Sequence, residues 1–115
     1  MIKKFINIKY LINTKNIGSS SYCINNNRIC DLYNIQVSPE YRNNNIGSKL
    51  LRDIELDCYT KNVNKINLVS YNKENNNLSN FYLKNGYLFD HEHEERDVYI
   101  GDTNYILRNM YKKLY

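Results

Sequence analysis

The sequence has no long apolar run. No window approaches the roughly 18 apolar residues that a membrane-spanning helix needs, and the 42% apolar and 24% charged residues are ordinary for a soluble globular protein. The opening segment, residues 1–13, begins with basic residues, but polar residues interrupt what would have to be the apolar core of a signal peptide. We therefore expect a cytoplasmic protein without a membrane partner.

Cysteine is scarce, and its spacing argues against a structural metal. Cys23, Cys30 and Cys58 are odd in number and show no CxxC spacing, which argues against zinc and indicates reduced thiols in a cytoplasm-like compartment. If Asn26 and Asn27 form a two-residue hairpin turn, Cys23 lies directly opposite Cys30. We expect these two thiols to face each other and to stay reduced.

Runs of like charge are also missing. The net charge is +4, but Lys and Arg are scattered and no run of five like charges occurs. We therefore expect a solvated basic surface and no nucleic-acid partner. His91 and His93 would share one strand face and could hold a metal with a carboxylate, but two ligands without a third are weak evidence. We expect no metal.

The length of 115 residues predicts a single domain over residues 1–115, with a core of two or three layers. Trp is absent, Tyr numbers 12, and Asn occurs in triplets at 25–27, 43–45 and 75–77. Each triplet falls where a turn or a helix start is expected, because the Asn side chain can bond nearby backbone groups. An A+T-rich coding genome is the simplest explanation of these runs, so we assign them no function.

Apolar residues with a period of two predict strands, and helical spacing predicts two helices. The first three strands, at residues 2–13, Gly18–Asn25 and Arg28–Val37, form an antiparallel meander, with a turn region over Lys15–Ser21. The other predicted elements are a helix at Ile46–Lys61, a strand at Lys65–Tyr71, a helix at Asn75–Asn85, and closing strands at Tyr87–Glu92 and Asn104–Leu114. The helical crossover makes the third and fourth strands parallel. The predicted fold class is α/β (α+β), with a mixed, mostly antiparallel sheet.

The segment from Asp31 to Arg52 is predicted to form a strand, a loop and a helix that can hold an anion. Pro39 has no N–H to donate, so the strand cannot continue regularly past it. From Ile46 the apolar residues follow helical spacing. The loop at 42–47 places a cation, three Asn and a Gly before a helix N-terminus, where unpaired amides favour phosphate. An ordinary strand, turn and helix is the alternative interpretation.

The residues on both sides of this loop occur in an order that can be compared with a known sequence signature. Val37, Pro39, an aromatic residue and Arg42 precede the loop, and the helix after it opens with a small residue and paired leucines. Arg42 and Gly47 resemble the loop signature of the GNAT superfamily, which reads Gln or Arg, two residues, Gly, one residue, and Gly or Ala. Asn45 stands where the first Gly is expected. Asn adopts left-handed backbone geometry more readily than other non-Gly residues, although its side chain crowds an approaching phosphate.

A second motif follows in the predicted second helix. Asn75 is followed seven residues later by Tyr82, and the helix stops at Gly86 before the aromatic Tyr87. In this order the two motifs resemble the signatures of the GNAT superfamily of acetyl-CoA-dependent N-acetyltransferases. The resemblance implies a GNAT-like sheet whose parallel strand pair splays around the cofactor.

The resemblance also implies which residues hold acetyl-CoA as co-substrate. Tyr82 would face the thioester sulfur and protonate the leaving thiolate, since a phenol with a pKa of about 10 roughly matches an alkyl thiolate. Its alternative role is that of a core aromatic residue. Asn75 would contact the pantetheine arm. The thioester, pantetheine and pyrophosphate would contact a larger group: Ile35, Gln36, Val37, Arg42, Asn43, Asn44, Asn45, Ile46, Gly47 and Ser48.

No general base is evident from the sequence. Asp31 and Tyr33 share one face of the central strand and could relay a proton from the amine through water, as could Glu40 just past the strand end. The alternative, which each residue taken alone favours, is an ordinary surface or edge residue. The connection between the two predicted closing strands carries a cluster of acidic residues: Asp90, Glu92, Glu94, Glu95 and Asp97. This cluster could steer a cationic amine towards the protein, or it could form a solvated hairpin.

Compared with the family, the chain starts late, and the elements that usually wall the acceptor side look missing or reduced. Uncovered apolar surface or a free strand edge then predicts self-association as a homodimer. The predicted function is transfer of an acetyl group to a primary amine of a small molecule, a polyamine or a protein. The alternative is a non-catalytic acyl-CoA-binding or protein-interaction module that keeps the fold.

Overall fold

The computed structural model describes residues 5–42, 44–74 and 76–115. Expectations about residues before Phe5, and about Asn43 and Asn75, lie outside these ranges. Within them the strands are β1 (Phe5–Ile12), β2 (Lys15–Ile24), β3 (Ile29–Val37), β4 (Lys65–Asn72), β5 (Leu88–Phe89), β6 (Arg96–Ile100) and β7 (Thr103–Lys113). The α-helices are α1 (Ile46–Thr60) and α2 (Leu78–Lys84), and a short 3-10 turn covers Pro39–Tyr41.

The described strands form one mixed sheet in the order β1-β2-β3-β4-β7-β5, with β6 also paired to β7. β3 and β4 are parallel, because α1 carries the chain across the sheet between them, and the other pairs are antiparallel. This confirms the predicted mixed, mostly antiparallel α/β sheet with one parallel pair.

The parallel pair parts after four residues. Pairing runs from Ile29 with Lys65 to Leu32 with Leu68, after which β3 continues to Val37 without a β4 partner. The register between β2 and β3 shifts, because Ser21 lies opposite Asn34 whereas Tyr22 lies opposite Leu32. Tyr33 is therefore an extra residue on β3. Such a bulge bends and twists a strand, so it directs the end of β3 away from β4.

One apolar row crosses six strands and forms the base of the core. It faces both helices and consists of Ile6, Tyr22, Leu32, Leu68, Met110 and Phe89. Leu51, Ile54 and Cys58 of α1 and Tyr82 of α2 pack on this row. The adjacent row on the other side, which we call the outer face, is mixed in character: Phe5, Cys23, Asp31, Asn67, Tyr111 and Leu88.

Tyrosine hydroxyls fix the position of α1 on the sheet. The Tyr22 hydroxyl donates to Asp57 at 2.6 Å, and the Tyr87 hydroxyl donates to Glu55 at 3.0 Å. Lys112 Nζ of β7 also donates to Glu55 at 3.0 Å. Burial raises the pKa of the Tyr22 hydroxyl, and the bond to Asp57 adds to the shift, so the phenol stays a donor. These contacts set the direction in which the N-terminus of α1 points.

The hairpin register predicted from the Asn triplet is wrong. The Asn25 amide donates to the Ile29 carbonyl at 2.9 Å, so the turn proper has three residues, 26–28. Arg28 adopts a left-handed φ of 63°, as in a type I turn followed by a bulge. Cys23 therefore lies opposite Asp31, and Cys30 lies opposite Ile24. Because directly opposed residues share a face, Cys23 and Cys30 point to different sides of the sheet.

The three cysteines are free and buried in this structure. Cys30 meets Cys58 of α1 instead of Cys23. A hydrogen bond to the Cys58 thiol and burial together raise the pKa of the Cys30 thiol. Both thiols therefore act as small core residues.

Several element boundaries differ from the predictions, and the strand predicted at Tyr87–Glu92 is reduced to β5, Leu88–Phe89. β2 begins at Lys15 because the turn lies at residues 13–14, with Asn13 at a φ of 57°, so the predicted turn region is strand. α2 begins at Leu78 because the Asn77 side chain accepts from the Ser79 amide and caps the helix. The acidic connection after β5 contains β6, which pairs with β7 through a turn at Gly101.

Of the helices in the described ranges, none combines the length and the apolar character required to span a membrane.

Replacement of a core residue of α1 should show how much the helix depends on the sheet. Ile54 is fully buried, so Ile54→Ala should lower the free energy of unfolding by about 2–5 kcal/mol through lost burial and a cavity. Leu56, on the same helix, is 63% exposed, and Leu56→Ala should change it by no more than about 0.5 kcal/mol. Urea denaturation measures both. Equal effects would contradict the packing of α1 described above.

Candidate functional site

A cleft of about 1070 Å³ opens where β3 leaves β4. Its walls are the free end of β3, the start of α1 and one side of α2. The lining residues are Asn16, Gly18, Ser19, Ile35, Gln36, Val37, Ser38, Arg42, Asn45, Gly47, Ser48, Asn76, Leu78, Phe81, Tyr82, Lys84 and Asn85. The cleft is therefore built from segments far apart in the sequence.

The N-terminus of α1 faces this cleft with unpaired donors. Asn45 precedes the helix in left-handed geometry, with φ 59° and ψ 22°, and its side chain makes no capping hydrogen bond. The amides of residues 46–48 donate to no residue in the described ranges, and no acidic side chain lies in the first turn. The partial positive charge of the helix end is therefore open to an anion.

Arg42 places a cation beside this helix end. Its Nε donates to the carbonyl of Val37 at 3.4 Å, and its amide donates to the Pro39 carbonyl at 3.4 Å. The Arg42 side chain is exposed and lines the cleft, so most of its guanidinium donors can reach a ligand. Lys84 adds a second exposed cation on the α2 wall.

Two glycines allow the walls to approach closely. A Cβ on Gly47 would lie 3.0 Å from the ring of Phe81, so α1 and α2 meet at this point. A Cβ on Gly18 would lie 2.9 Å from the Ile46 side chain, so β2 contacts the start of α1. Both approaches are closer than a side chain would normally allow, which gives Gly a steric role at each position.

Tyr82 is held on the α2 wall by other aromatic rings. It is 7% exposed, and its ring contacts Phe81 and Tyr87 edge-on at centroid distances of 5.2 and 5.8 Å. Burial raises the pKa of Tyr82 to about 12. Its hydroxyl bonds to no residue in the described part of the chain and lies at the cleft, so it can donate a hydrogen bond to a ligand. The raised pKa makes it a weaker acid than the ordinary phenol on which the predicted match to an alkyl thiolate depended.

A buried polar cluster seats the first turn of α2. The Asn72 side chain accepts from the Ser79 amide at 2.9 Å and donates to the Ile106 carbonyl at 3.2 Å. Ser70 and Ser79 share a hydroxyl hydrogen bond of 2.8 Å. β4, β7 and α2 are therefore joined at this point, one helical turn before Tyr82.

Asp31 and Tyr33 lie outside the cleft lining. Asp31 belongs to the outer-face row, opposite Cys23 and Asn67. Tyr33 is 45% exposed and packs on Phe5 with ring centroids 5.3 Å apart. The two residues therefore lie on the opposite side of the sheet from Tyr82. Glu40, the third base candidate, pairs with Lys15 at 2.7 Å.

The structure brings most of the predicted cofactor residues to the cleft. Those that line it are Ile35, Gln36, Val37, Arg42, Asn45, Gly47, Ser48 and Tyr82, whereas Asn44 and Ile46 do not. The sequence interpretation missed Asn16, Gly18, Ser19, Ser38, Asn76, Leu78, Phe81, Lys84 and Asn85. A signal existed for the α2 residues, because Leu78, Phe81 and Tyr82 follow one helical stripe.

Two carboxylates of the acidic group after β5 already have side-chain partners. Asp90 bonds to His93 at 3.0 Å, and Glu95 pairs with Arg108 at 3.7 Å. The hydrogen bond from the Glu92 amide is the main cause that lowers the pKa of Asp90, and the contact with His93 lowers it further. Among residues 5–42, 44–74 and 76–115 no three His, Cys, Asp or Glu side chains group to hold a metal ion.

Solved structures resemble this fold over nearly the whole chain. The ribosomal-protein-S18-alanine N-acetyltransferase of Escherichia coli matches with a TM-score of 0.79 and 18% identity, over 96% of this chain and 69% of that one. PaiA N-acetyltransferase of Thermoplasma acidophilum, in complex with coenzyme A, matches with a TM-score of 0.69 and 23% identity, over 95% and 60%. This chain thus spans less than two thirds of the length of the second protein.

A third structure, the Bacillus subtilis acetyltransferase in complex with CoA, matches with a TM-score of 0.74 and 14% identity, over 95% of this chain and 76% of that one. A search of curated proteins found no match. The family model described as "Acetyltransferase (GNAT) domain" matches residues 8–87, which include β3, the loop, α1 and α2. The chain belongs to the GNAT acetyltransferase family.

Proposed function

We propose that the protein is an acetyl-CoA-dependent N-acetyltransferase that moves an acetyl group to a primary amine. The observation that carries this proposal is the cleft at the parted strands, where the α1 amides, Arg42 and the Tyr82 hydroxyl face one space. An anion-binding helix end and a neutral proton donor in one cleft suit a ligand with phosphate at one end and a reacting thioester at the other.

The proposed pyrophosphate position is the N-terminus of α1. The amides of Ile46, Gly47 and Ser48 supply donors, and Arg42 supplies charge, with Asn43, Asn44 and Asn45 completing the loop. The left-handed φ of Asn45 supports this assignment, because the backbone adopts the geometry for which the family pattern uses Gly. Two of the similar structures are complexes with coenzyme A, which also supports it.

The thioester is proposed to lie beside β3 beyond Leu32. There the backbone of Ile35, Gln36 and Val37 has no β4 partner and borders the cleft. A strand edge of this kind can bond the amide groups of a pantetheine arm as it would bond another strand. Asn75, which precedes α2, is proposed as a further contact to that arm.

The chemistry proposed is direct transfer without a covalent enzyme intermediate. The amine nitrogen attacks the thioester carbonyl, the C–N bond forms, and the C–S bond breaks as Tyr82 gives its proton to the leaving thiolate. The excess proton of the nitrogen leaves through water. Asp31 and Tyr33 are proposed as the relay. Because both lie on the outer face, across the sheet from Tyr82, water between the parted strands would have to link them to the amine nitrogen.

A second candidate is a non-catalytic acyl-CoA-binding module. The observation in its favour is the Asn45 side chain, which occupies space at the pyrophosphate position that Gly would leave open. Binding and turnover are therefore measured separately in the two experiments below.

Gly47→Val should abolish acetyl-CoA binding. Even the first carbon of the new side chain lies 3.0 Å from Phe81, so the side chain must displace that ring or fill the cleft. In the parent protein, acetyl-CoA at about a hundred times Kd should raise the free energy of unfolding by roughly 2.7 kcal/mol. Thermal shift and isothermal titration calorimetry measure these effects.

The matched control is Leu56→Val, which places the same residue on the exposed side of the same helix. It should bind acetyl-CoA as the parent does. Binding by Gly47→Val with the parent affinity would place the cofactor elsewhere, and no shift of the parent at millimolar acetyl-CoA would contradict both candidate functions.

Tyr82→Phe should lower turnover by about ten- to a thousandfold while leaving the Kd for acetyl-CoA nearly unchanged. The ring contacts remain and only the proton donor is lost. Release of free CoA thiol, measured over a panel of polyamines, amino acids and peptides with free N-termini, reports turnover. Tyr59→Phe, at a 56% exposed position on α1, is the control and should keep the parent rate.

The pH profile supplies a second readout for Tyr82. Because its pKa is raised to about 12, the phenol keeps its proton at neutral and mildly alkaline pH. Loss of this proton should therefore cause no decrease in kcat between about pH 8 and 10. A parent rate in Tyr82→Phe would show that the thiolate takes its proton elsewhere. Binding without turnover on every amine of the panel would favour the non-catalytic module.

A further inference from the structure

β1 is the terminal strand of the sheet and is paired on one side alone within the described residues. Its eight residues pair with β2 from Phe5 opposite Cys23 to Ile12 opposite Lys15. The opposite border of the sheet is different, because β5 has two residues and a turn separates it from β6. The β1 border is thus the longer of the two, and its pairing with β2 is interrupted once, by a register shift between Tyr10 and Leu11.

The β1 border has few of the features that keep strand edges from pairing. Proteins usually protect such edges with proline, several charges or a covering segment. β1 contains no proline and a single charged residue, Lys9. Phe5, Leu11 and Ile12 are 53%, 57% and 46% exposed. A second strand on this border would cover these side chains and bond the outward backbone groups.

The sequence of β1 is complementary to itself in antiparallel pairing. Side chains alternate, so Phe5 and Leu11 lie on the outer face with two polar residues between them. On the side that faces the helices, Ile6 and Tyr10 flank Ile8. The pattern is therefore symmetric about Ile8, with apolar residues at matching distances on both sides.

We propose that β1 pairs antiparallel with β1 of a second copy of this chain, with Ile8 opposite the partner's Ile8. Phe5 then lies opposite the partner's Leu11, Ile6 opposite the partner's Tyr10, and Asn7 opposite the partner's Lys9. Apolar residues meet apolar residues on both faces, and an amide meets an ammonium group. The two sheets become one continuous sheet.

Other registers are less favourable. Opposed residues in an antiparallel pair share a face, so the register can change only in steps of two. One such step places Lys9 opposite the partner's Lys9, where like charges repel. The step in the other direction places Phe5 opposite the partner's Lys9 and leaves Leu11 without an apolar partner.

The proposed contact gives a closed dimer with two-fold symmetry. A two-fold axis through the sheet at Ile8 uses the same border of both copies, so no free β1 border remains to add a third. The opposite border is short and interrupted, which disfavours growth into a fibre. A dimer of twice 13.8 kDa is therefore the expected species. This inference does not depend on the proposed function.

The sign of the charge at position 7 tests the contact, because each dimer places residue 7 opposite Lys9 twice. Asn7 is exposed, so substitutions there should leave the fold intact. Asn7→Glu should tighten the dimer by about two- to thirtyfold at low salt, and Asn7→Lys should weaken it by a similar factor. Sedimentation equilibrium of the full chain measures the dimer Kd, and 1 M salt should reduce the difference.

The controls are Asn80→Glu and Asn80→Lys, which change net charge equally at an exposed position of α2. Both should leave the dimer Kd close to that of the parent protein. A chain that stays monomeric at millimolar concentration overturns the proposal. A dimer whose Kd is the same for Asn7→Glu and Asn7→Lys overturns it as well.

A cysteine on the two-fold axis tests the register. Ile8→Cys places two thiols opposite each other and should form an intermolecular disulfide under mild oxidation, whereas Lys9→Cys lies opposite the partner's Asn7 and should not. The three natural cysteines are buried and should not interfere. Equal cross-linking of both variants, or cross-linking of Lys9→Cys alone, contradicts the register.

Discussion

The parting of β3 from β4 is the constraint on which the rest of the site depends. The two parallel strands pair as far as Leu32 and Leu68, and the extra residue Tyr33 then turns β3 away. The departing strand keeps backbone groups that no other strand satisfies, and the space beside them becomes the cleft. In a sheet paired along its whole length, the start of α1 would meet a closed surface.

The core holds both helices against this opening. One apolar row from Ile6 to Phe89 gives α1 and α2 a common base, and the Tyr22 and Tyr87 hydroxyls hold the carboxylates of α1. Asn72 fixes the first turn of α2 to β4 and β7. The free amides of α1 and the Tyr82 hydroxyl are thus placed by buried contacts, as a preorganised site requires.

The sequence predicted the strand, loop and helix around Arg42 and Gly47, because a proline, a glycine and a change of period are local signals. It failed at the hairpin after Ile24, since an Asn triplet specifies a turn without specifying its length, and the left-handed Arg28 decided the register. It missed β6, whose charged residues do not alternate with apolar ones. The contributions of Asn16 and Gly18 to the cleft come from packing between distant segments, which local patterns do not report.

Backbone amide chemical shifts of the ¹⁵N-labelled protein, recorded with and without coenzyme A, test the central claim most directly. The account predicts that perturbations concentrate at the lining of the cleft, including Gln36, Gly47, Ser48 and Tyr82, and leave Cys23 and the Glu92–Glu95 turn unchanged. Perturbations centred on the outer face, or none at saturating coenzyme A, would contradict the placement of the cofactor at the parted strands.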